Sequence, residues 1–249
     1  MATLRLLRHA TLVLDVADRT LLVDPMLGAP GDIPPIPNSP NDRENPLVPL
    51  PEWDPAAVDA VVVTHTHRDH FDDTAAAELD GDLPLFCQPE DAAEIREQGF
   101  SDVRPVEDTA AFGPIEFTRT DGRHGQGELA DQMGPVSGFV LDAPNEPEVY
   151  VAGDTVWCDR FAAELETHDP DVVVLNTGGA RFVEGPPITM TDEDVAPVCE
   201  ACPEARLVAV HMDAINHCLQ TRDDLRAALD ERGLAGRVEL PADGETLSL

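Results

Sequence analysis

A dense group of metal-ligating side chains stands at residues 65–70, which read His-Thr-His-Arg-Asp-His. The group follows residues 58–64, a continuous apolar run typical of a strand buried on both faces. In an extended segment, residues i and i+2 point the same way, so His65 and His67 can converge on one ion. If the chain then turns, Asp69 and His70 point to a position beside that ion. Imidazole together with carboxylate suits Zn, Fe or Mn.

Three further candidates lie where later strands are expected to end. His124 follows a strand predicted over residues 116–120. Asp154 follows a strand predicted over residues 148–152, and His211 ends a buried strand that begins at residue 205. Taken alone, each of these residues could equally be an ordinary polar residue at a strand end rather than a metal ligand. Their order behind the first group makes them candidates for the same site.

The arrangement resembles the metallo-β-lactamase superfamily of metal-dependent hydrolases. Residues 65–70 match every fixed position of its His-x-His-x-Asp-His hallmark. The triplet Gly-Arg-His ending at His124, the Ala-Gly-Asp-Thr motif around Asp154, and His211 follow in the order of the later family motifs. The resemblance spans nearly the whole chain. It implies an α/β protein with the metallo-β-lactamase fold, a four-layer αββα sandwich.

Two early segments refine the resemblance. Asp24, at the end of an apolar strand, matches the early structural Asp of the superfamily. Residues 8–11, Arg-His-Ala-Thr, and the pair Asp24-Pro25 are most similar to the branch that includes ascorbate-6-phosphate lactonase.

The resemblance also implies two divalent metal ions, with Zn expected first and Mn or Fe as alternatives. The ligand set carried over from the family is His65, His67 and His124 for the first ion, Asp69, His70 and His211 for the second, and Asp154 as the bridge. Two neighbouring cations repel each other, and an anionic bridge offsets that repulsion. A metal-bound hydroxide would be the nucleophile, because metal binding lowers the pKa of water to about 7. Asp69 would also act in catalysis, orienting the nucleophile or carrying its proton.

Two further histidines are candidates with open alternatives. His9 follows the first strand and is either a contact beside the site or an ordinary histidine at a strand end. His217, six residues after His211, is predicted to be a catalytic proton donor, and the alternative is a helix cap with Asn216. His168 is expected in a surface loop.

The cysteines carry weaker signals. Cys158 stands close to the Asp154 motif and could lie near the metals, although no motif requires it. Cys199 and Cys202 form one C-x-x-C pair, which without a second pair favours packing over a zinc site. The five cysteines are irregularly spaced and form no disulfide framework, so reduced thiols and a cytoplasmic location are expected.

The leading functional interpretation is a dinuclear hydrolase of a small ester, lactone or phosphoester. An iron-dependent oxygenase or redox enzyme would use the same ligands, and a metal-binding sensor would keep them without catalysis. A nuclease is disfavoured by the charge. A glyoxalase-type thioesterase would need a C-terminal helical region, for which the residues after His211 are too few.

Composition limits the partners. Among 249 residues, 49 are acidic and 16 are basic, a net charge of −33, and every basic residue is Arg. The arginines are scattered, so nucleic acid and anionic membrane surfaces are poor partners and a small-molecule substrate is favoured. The early apolar segment is interrupted by charges and does not resemble a signal peptide. High acidity without Lys indicates adaptation to molar salt, and the oligomeric state is left open, with a homo-oligomer possible.

The elements that must position these residues follow from periodicity and turn chemistry. Strands are predicted over residues 3–9, 11–16 and 20–24, with a hairpin turn at Ala17-Asp18. Residues 28–55 hold nine prolines and are expected as a loop that covers one side of the pocket. Alternating strands and helices follow, and Asp243-Gly244 predicts a closing hairpin. The whole chain, residues 1–249, is predicted to be one hydrolase domain.

Overall fold

Two sheets of seven strands each form the centre of the molecule in the computed structural model, which describes residues 2–249. The strands are β1 (Thr3–Arg8), β2 (Thr11–Val16), β3 (Arg19–Val23), β4 (Ala60–Val63), β5 (Leu85–Cys87), β6 (Val103–Pro105), β7 (Thr109–Phe112), β8 (Ile115–Asp121), β9 (Ser137–Asp142), β10 (Val149–Val151), β11 (Val172–Asn176), β12 (Arg206–Val210), β13 (Val238–Glu239) and β14 (Thr246–Ser248). The first sheet has the order β14-β1-β2-β3-β4-β5-β6 and the second β13-β12-β11-β10-β9-β8-β7.

Among the described residues, six α-helices accompany the two sheets. They are α1 (Asp73–Glu78), α2 (Ala92–Glu97), α3 (Glu128–Met133), α4 (Asp159–His168), α5 (Asp192–Ala201) and α6 (Arg222–Glu231). Residues of α1 and α2 pack on the first sheet, and residues of α4, α5 and α6 pack on the second. A separate apolar core fills the space between the sheets, where the rings of Phe86 and Phe117 stack at 4.5 Å. The four-layer αββα sandwich of the metallo-β-lactamase fold is confirmed.

Both faces of strand β4 are buried, which explains why its residues are all apolar and do not alternate with polar ones. Ala60 and Val62 belong to the core between the sheets, whereas Val61 and Val63 pack under α1 and α2. A strand covered on both faces buries every side chain, so a continuous apolar run is what this layer requires. The prediction of a doubly buried strand is therefore confirmed.

Most predicted elements are present, and the N-terminal strands are among the most accurate. β1, β2 and β3 form an antiparallel meander, and the turn residues Ala17 and Asp18 have φ of 50° and 59°. Predicted helices after Asp72, Thr191 and Thr221 also form, each beginning at a side-chain cap or capping box.

The predicted hairpin at Asp243-Gly244 is wrong. β13 pairs with β12 in the second sheet, and β14 pairs with β1 in the first. The segment between them crosses from one sheet to the other, because each strand completes a different open edge. Turn chemistry reports only the local reversal and carries no information about which edge is free.

Several elements had no sequence prediction. The short strands β6 and β7 and the helices α3 and α4 lie where no periodic signal was recognised. His168 is the last residue of α4, 3.4 Å from Glu164, so the expectation of a loop residue is wrong. Within residues 2–249, no helix is long and apolar enough to cross a bilayer.

Residues 28–55 form the expected irregular segment, here called the proline-rich loop. Ile33 and Asn45 pair through two backbone hydrogen bonds of 2.7 Å, which closes the loop on itself. The side chain of Asn45 donates to Asn216 Oδ1 at 3.0 Å and accepts from the backbone N–H of Asn216 at 2.8 Å. These contacts hold the loop against the segment that precedes His217.

Candidate metal centre

The predicted ligands meet at one edge of the sandwich, where strands of both sheets end. His9, Asp24 and the group at residues 65–70 follow β1, β3 and β4 in the first sheet. His124, Asp154 and His211 follow β8, β10 and β12 in the second. The backbone N–H of His211 donates to the carbonyl of His9 at 2.9 Å and ties the two edges together. In folds with parallel strands, functional sites usually lie at the carboxyl ends of those strands.

Backbone conformation at this edge is unusual. The backbone φ angles are 60° at His9, 45° at Asp24 and 69° at His211, values that residues other than glycine rarely adopt. Gly178 lies so close to the turn that a Cβ there would stand 2.0 Å from the carbonyl oxygen of His211. Such strain persists where surrounding contacts over-determine it, and it is concentrated at functional sites.

One group of candidate ligands consists of His65, His67 and His124. Their donor atoms lie within 4.8 Å of one another. His65 Nε2 and His67 Nδ1 are 2.9 Å apart. The three residues come from two different sheets and were assigned together in the sequence.

A second group consists of Asp69, His70 and His211, joined by His9. The Nε2 atoms of His70 and His211 are 3.2 Å apart, and His211 Nε2 lies 3.6 Å from Asp69 Oδ2. His9 Nε2 lies 3.3 Å from the same carboxylate oxygen, and the rings of His9 and His211 are 3.7 Å apart. The structure thus places His9 beside the ligands rather than at an ordinary strand end.

The carboxylate of Asp154 stands between the two groups. Its Oδ2 is 3.3 Å from His70 Nε2 and 3.4 Å from His124 Nε2, while its Oδ1 is 3.3 Å from His211 Nε2. Asn176, at the end of β11, donates from Nδ2 to Oδ1 at 2.8 Å and fixes the carboxylate plane. The same side chain therefore faces both histidine groups.

The donor set fits divalent metal ions. Two donors bound at about 2.0–2.1 Å to one tetrahedral ion lie about 3.3 Å apart, which is the spacing seen around Asp154 and between His70 and His211. Imidazole and carboxylate without thiolate suit Zn, Fe or Mn.

Outer contacts orient the ligands toward the centre. His70 Nδ1 lies 2.8 Å from Asp24 Oδ2, and His124 Nδ1 lies 2.8 Å from the carbonyl oxygen of Ile188. When Nδ1 donates to such an acceptor, the Nε2 lone pair points into the site and its basicity rises. Asp24 also accepts from the backbone and hydroxyl of Thr64, each at 2.8 Å, so its structural role follows from three hydrogen bonds.

Electrostatics favour the metal-binding protonation states of His65, His124 and Asp154. Burial holds the pKa of His65 well below its usual value and lowers the pKa of His124 to about 4, so both imidazoles are neutral at pH 7. Burial alone would raise the pKa of Asp154, but the facing imidazoles of His211 and His70 outweigh it and hold that pKa well below its usual range. Neutral imidazole and ionised carboxylate are the forms that bind metal. At His70, burial would lower the pKa, but the carboxylates of Asp154 and Asp24 outweigh it and raise that pKa well above its usual value.

Two residues after the ligands line the same region. His217 is buried, and its Nδ1 has no hydrogen-bond partner among the described residues. Cys218 Sγ lies 3.6 Å from His211 Nδ1, a contact that sequence reasoning missed. Its position seven residues after a ligand was the signal available, but sequence spacing does not show which way the chain turns.

Three other cysteines pack in the apolar layer between the second sheet and its helices. Cys158 precedes α4, packs on this layer and, among the described residues, belongs to none of the candidate metal-binding groups. Cys199 and Cys202 are buried in the same layer at the end of α5. Both are free thiols, as packing predicts.

Comparison with known proteins agrees with the geometry. Residues 19–212 match the family described as the Beta-lactamase superfamily domain. The chain belongs to this superfamily. It is 39% identical over 246 residues to the UPF0173 protein YddR of Bacillus subtilis strain 168, covering 96% of this chain and 97% of the relative. It is also 29% identical over 191 residues to a UPF0173 metal-dependent hydrolase of Xanthobacter autotrophicus, covering 72% of each chain.

Solved structures extend the comparison to the whole fold. An isothiocyanate hydrolase from Delia radicum gut bacteria is 39% identical, with a TM-score of 0.94 and 99% of each chain covered. A possible metal-dependent hydrolase from Veillonella parvula is 35% identical, with a TM-score of 0.95, covering 100% of this chain and 99% of that one. This superfamily member is therefore a metal-dependent hydrolase, and its place beside the lactonase branch stays a prediction.

Proposed function

We propose that the superfamily member is a dinuclear hydrolase in which His65, His67 and His124 hold one divalent ion and Asp69, His70 and His211 hold the other. The observation that carries this proposal is the Asp154 carboxylate, with oxygens within 3.4 Å of donors in both groups. A shared carboxylate offsets the repulsion between two cations at one site. Zn is the expected metal, because neutral imidazoles dominate the donor set.

The substrate class that the comparisons favour is an isothiocyanate, R–N=C=S. The isothiocyanate hydrolase is 39% identical to this chain, and the alignment covers 99% of each chain. In the proposed reaction, water oxygen bonds to the central carbon and the carbon–nitrogen bond breaks. Both protons of that water finish on nitrogen, so the products are the amine R–NH₂ and carbonyl sulfide. The reaction is a hydrolysis and needs no oxidant.

The chain's own residues orient the water and deliver the proton. Bound divalent ions supply Lewis acidity and lower the pKa of a bound water. Asp69, fixed by His9 at 3.3 Å, accepts a hydrogen bond from the attacking water and orients it. Burial lowers the pKa of His217, so this imidazole, with its unpartnered Nδ1, starts neutral, takes a proton from the attacking water and passes it to the leaving nitrogen.

Phosphoester hydrolysis is a second candidate, because a polar cavity of about 590 Å³ beside His124 contains three arginines. Arg119 and Arg160 pair with Glu90 and Asp121 at 4.0 and 3.1 Å. The guanidinium of Arg123 has no ion pair among residues 2–249 and remains free for an anion. Small esters and lactones complete the range of substrates proposed from the sequence.

The test is a substrate panel on metal-loaded protein: methyl and hexyl isothiocyanate, a lactone, an ester and a phosphodiester. We expect amine and carbonyl sulfide in equal amounts from the isothiocyanates. His67→Ala should lose more than about 100-fold in kcat/KM, beyond the usual loss from an outer-shell change. His168→Ala, a histidine at the end of α4, is the matched control and should retain activity. If the phosphodiester is hydrolysed and the isothiocyanates are not, the isothiocyanate proposal is wrong and phosphoester hydrolysis replaces it.

A further inference from the structure

A groove of about 730 Å³ lies between α3, the segment after Ala180 and the proline-rich loop, and four of its seven lining residues are apolar. Its lining is Leu129, Met133, Phe182 and Val183, with Asn38, Gln132 and Glu184 at the rim. The backbone N–H of Val183 donates to the carbonyl of Asn38 at 2.7 Å, so the loop forms one wall of the groove. A volume in this range is typical of small-molecule sites.

The exposure of Val183 is exceptional in this protein. Only Val183 and Leu219 are exposed large hydrophobic residues in the part of the chain that the structure describes, and Val183 is 67% exposed. The chain carries a net charge of −33, so most of its surface is acidic. Covering Val183 with an apolar group would remove its exposed side chain from water.

The groove borders the candidate metal centre. Leu129, Met133 and Phe182 pack on a buried cluster that includes Ile188, whose carbonyl holds the ligand His124 at 2.8 Å. At the other end, the ring of Phe182 lies 6.2 Å from the ring of His217. An extended small molecule that reaches His217 with its reacting end therefore has this groove for its other end.

We infer that the groove binds the apolar organic group of the substrate and sets the enzyme's preference for chain length. The inference rests on the proposed isothiocyanate hydrolysis, in which the –N=C=S group sits at the metal centre and R extends away from it. Aliphatic groups suit the apolar part of the lining, in which Met133 is unbranched and flexible.

The first experiment measures kcat/KM for n-alkyl isothiocyanates from methyl to hexyl. In the wild type each buried methylene should raise kcat/KM by about fourfold. Met133→Gln and Val183→Ser place polar groups in the groove and should lower the hexyl-to-methyl ratio more than fivefold, while kcat/KM for the methyl compound stays within twofold. Leu219→Ser, the other exposed apolar position, should leave the ratio unchanged. An unchanged ratio in both groove variants overturns the inference, and so does an equal loss on both substrates.

A second measurement does not depend on catalysis. In protein labelled at the methionine ε-methyl groups, the Met133 resonance, assigned from Met133→Gln, should shift with n-hexylamine and not with methylamine. The two amines carry the same charge, so the shift reports the alkyl chain. If no isothiocyanate is hydrolysed but hexylamine still shifts Met133, the proposed function fails and the groove remains an apolar subsite. If hexylamine causes no shift, or if Val183→Ser abolishes a dimer seen by sedimentation, the groove inference is overturned.

Discussion

At the scale of single residues, the proposed dinuclear site depends on Asp154. Its carboxylate faces donors of both histidine groups at 3.3–3.4 Å. Fully loaded wild-type protein should contain two metal ions per chain by elemental analysis. Asp154→Asn removes the bridging charge while keeping the size, so it should bind one ion or none. One ion per chain in the loaded wild type would rule out the dinuclear proposal.

Asp24 tests the contribution of an outer contact, because it touches His70 Nδ1 at 2.8 Å. Asp24→Asn removes an ionised acceptor, and we expect roughly 10- to 100-fold weaker metal retention against a chelator. Asp230→Asn, on the exposed face of α6, is the matched control and should not change retention. Equal retention in both variants would show that Asp24 serves the fold and not the metals.

At the scale of elements, the proline-rich loop is the segment whose role can be separated from the fold. Ile33 and Asn45 are already paired through hydrogen bonds of 2.7 Å, so residues 34–44 can be replaced by Asn-Gly as a two-residue turn. Asn45 keeps its contacts with Asn216 in that variant. We predict an unchanged metal content and a smaller hexyl-to-methyl ratio, because the Asn38 wall of the groove is removed. An unchanged ratio would mean that the loop only shields the core.

At the scale of the whole molecule, the net charge of −33 leads to a prediction about stability. Some acidic residues form ion pairs, such as Glu239 with Arg206 at 2.7 Å and Asp213 with Arg222 at 3.0 Å. Because the chain has 49 acidic residues and only 16 arginines, most acidic side chains face other acidic side chains or water. At 0.1 M salt the Debye length is about 10 Å, and at 1 M it is about 3 Å. We predict a higher melting temperature in molar KCl than in 0.1 M KCl, with one cooperative transition if residues 1–249 form one domain. Sucrose of equal osmolality is the control, since it does not screen charge; a higher melting temperature at low salt contradicts the adaptation to salt.

The sequence alone determined the elements with dense local signals. The apolar run at residues 58–64, the capped helix after Asp72 and the hallmark at residues 65–70 each depend on neighbours within a few residues. The later candidate ligands were predicted because a family motif supplies their order. Local periodicity and motif order are properties of the chain itself, so they can be recognised without coordinates.

Only the tertiary structure decided which distant segments meet. His9 reaches Asp69, Cys218 reaches His211, and β13 and β14 join different sheets. The groove likewise combines α3, the segment after Ala180 and the proline-rich loop. These contacts depend on how the two twisted sheets pack and on which sheet edges stay open. Burial and strand pairing together decide both, and they are properties of the assembled core rather than of any short segment.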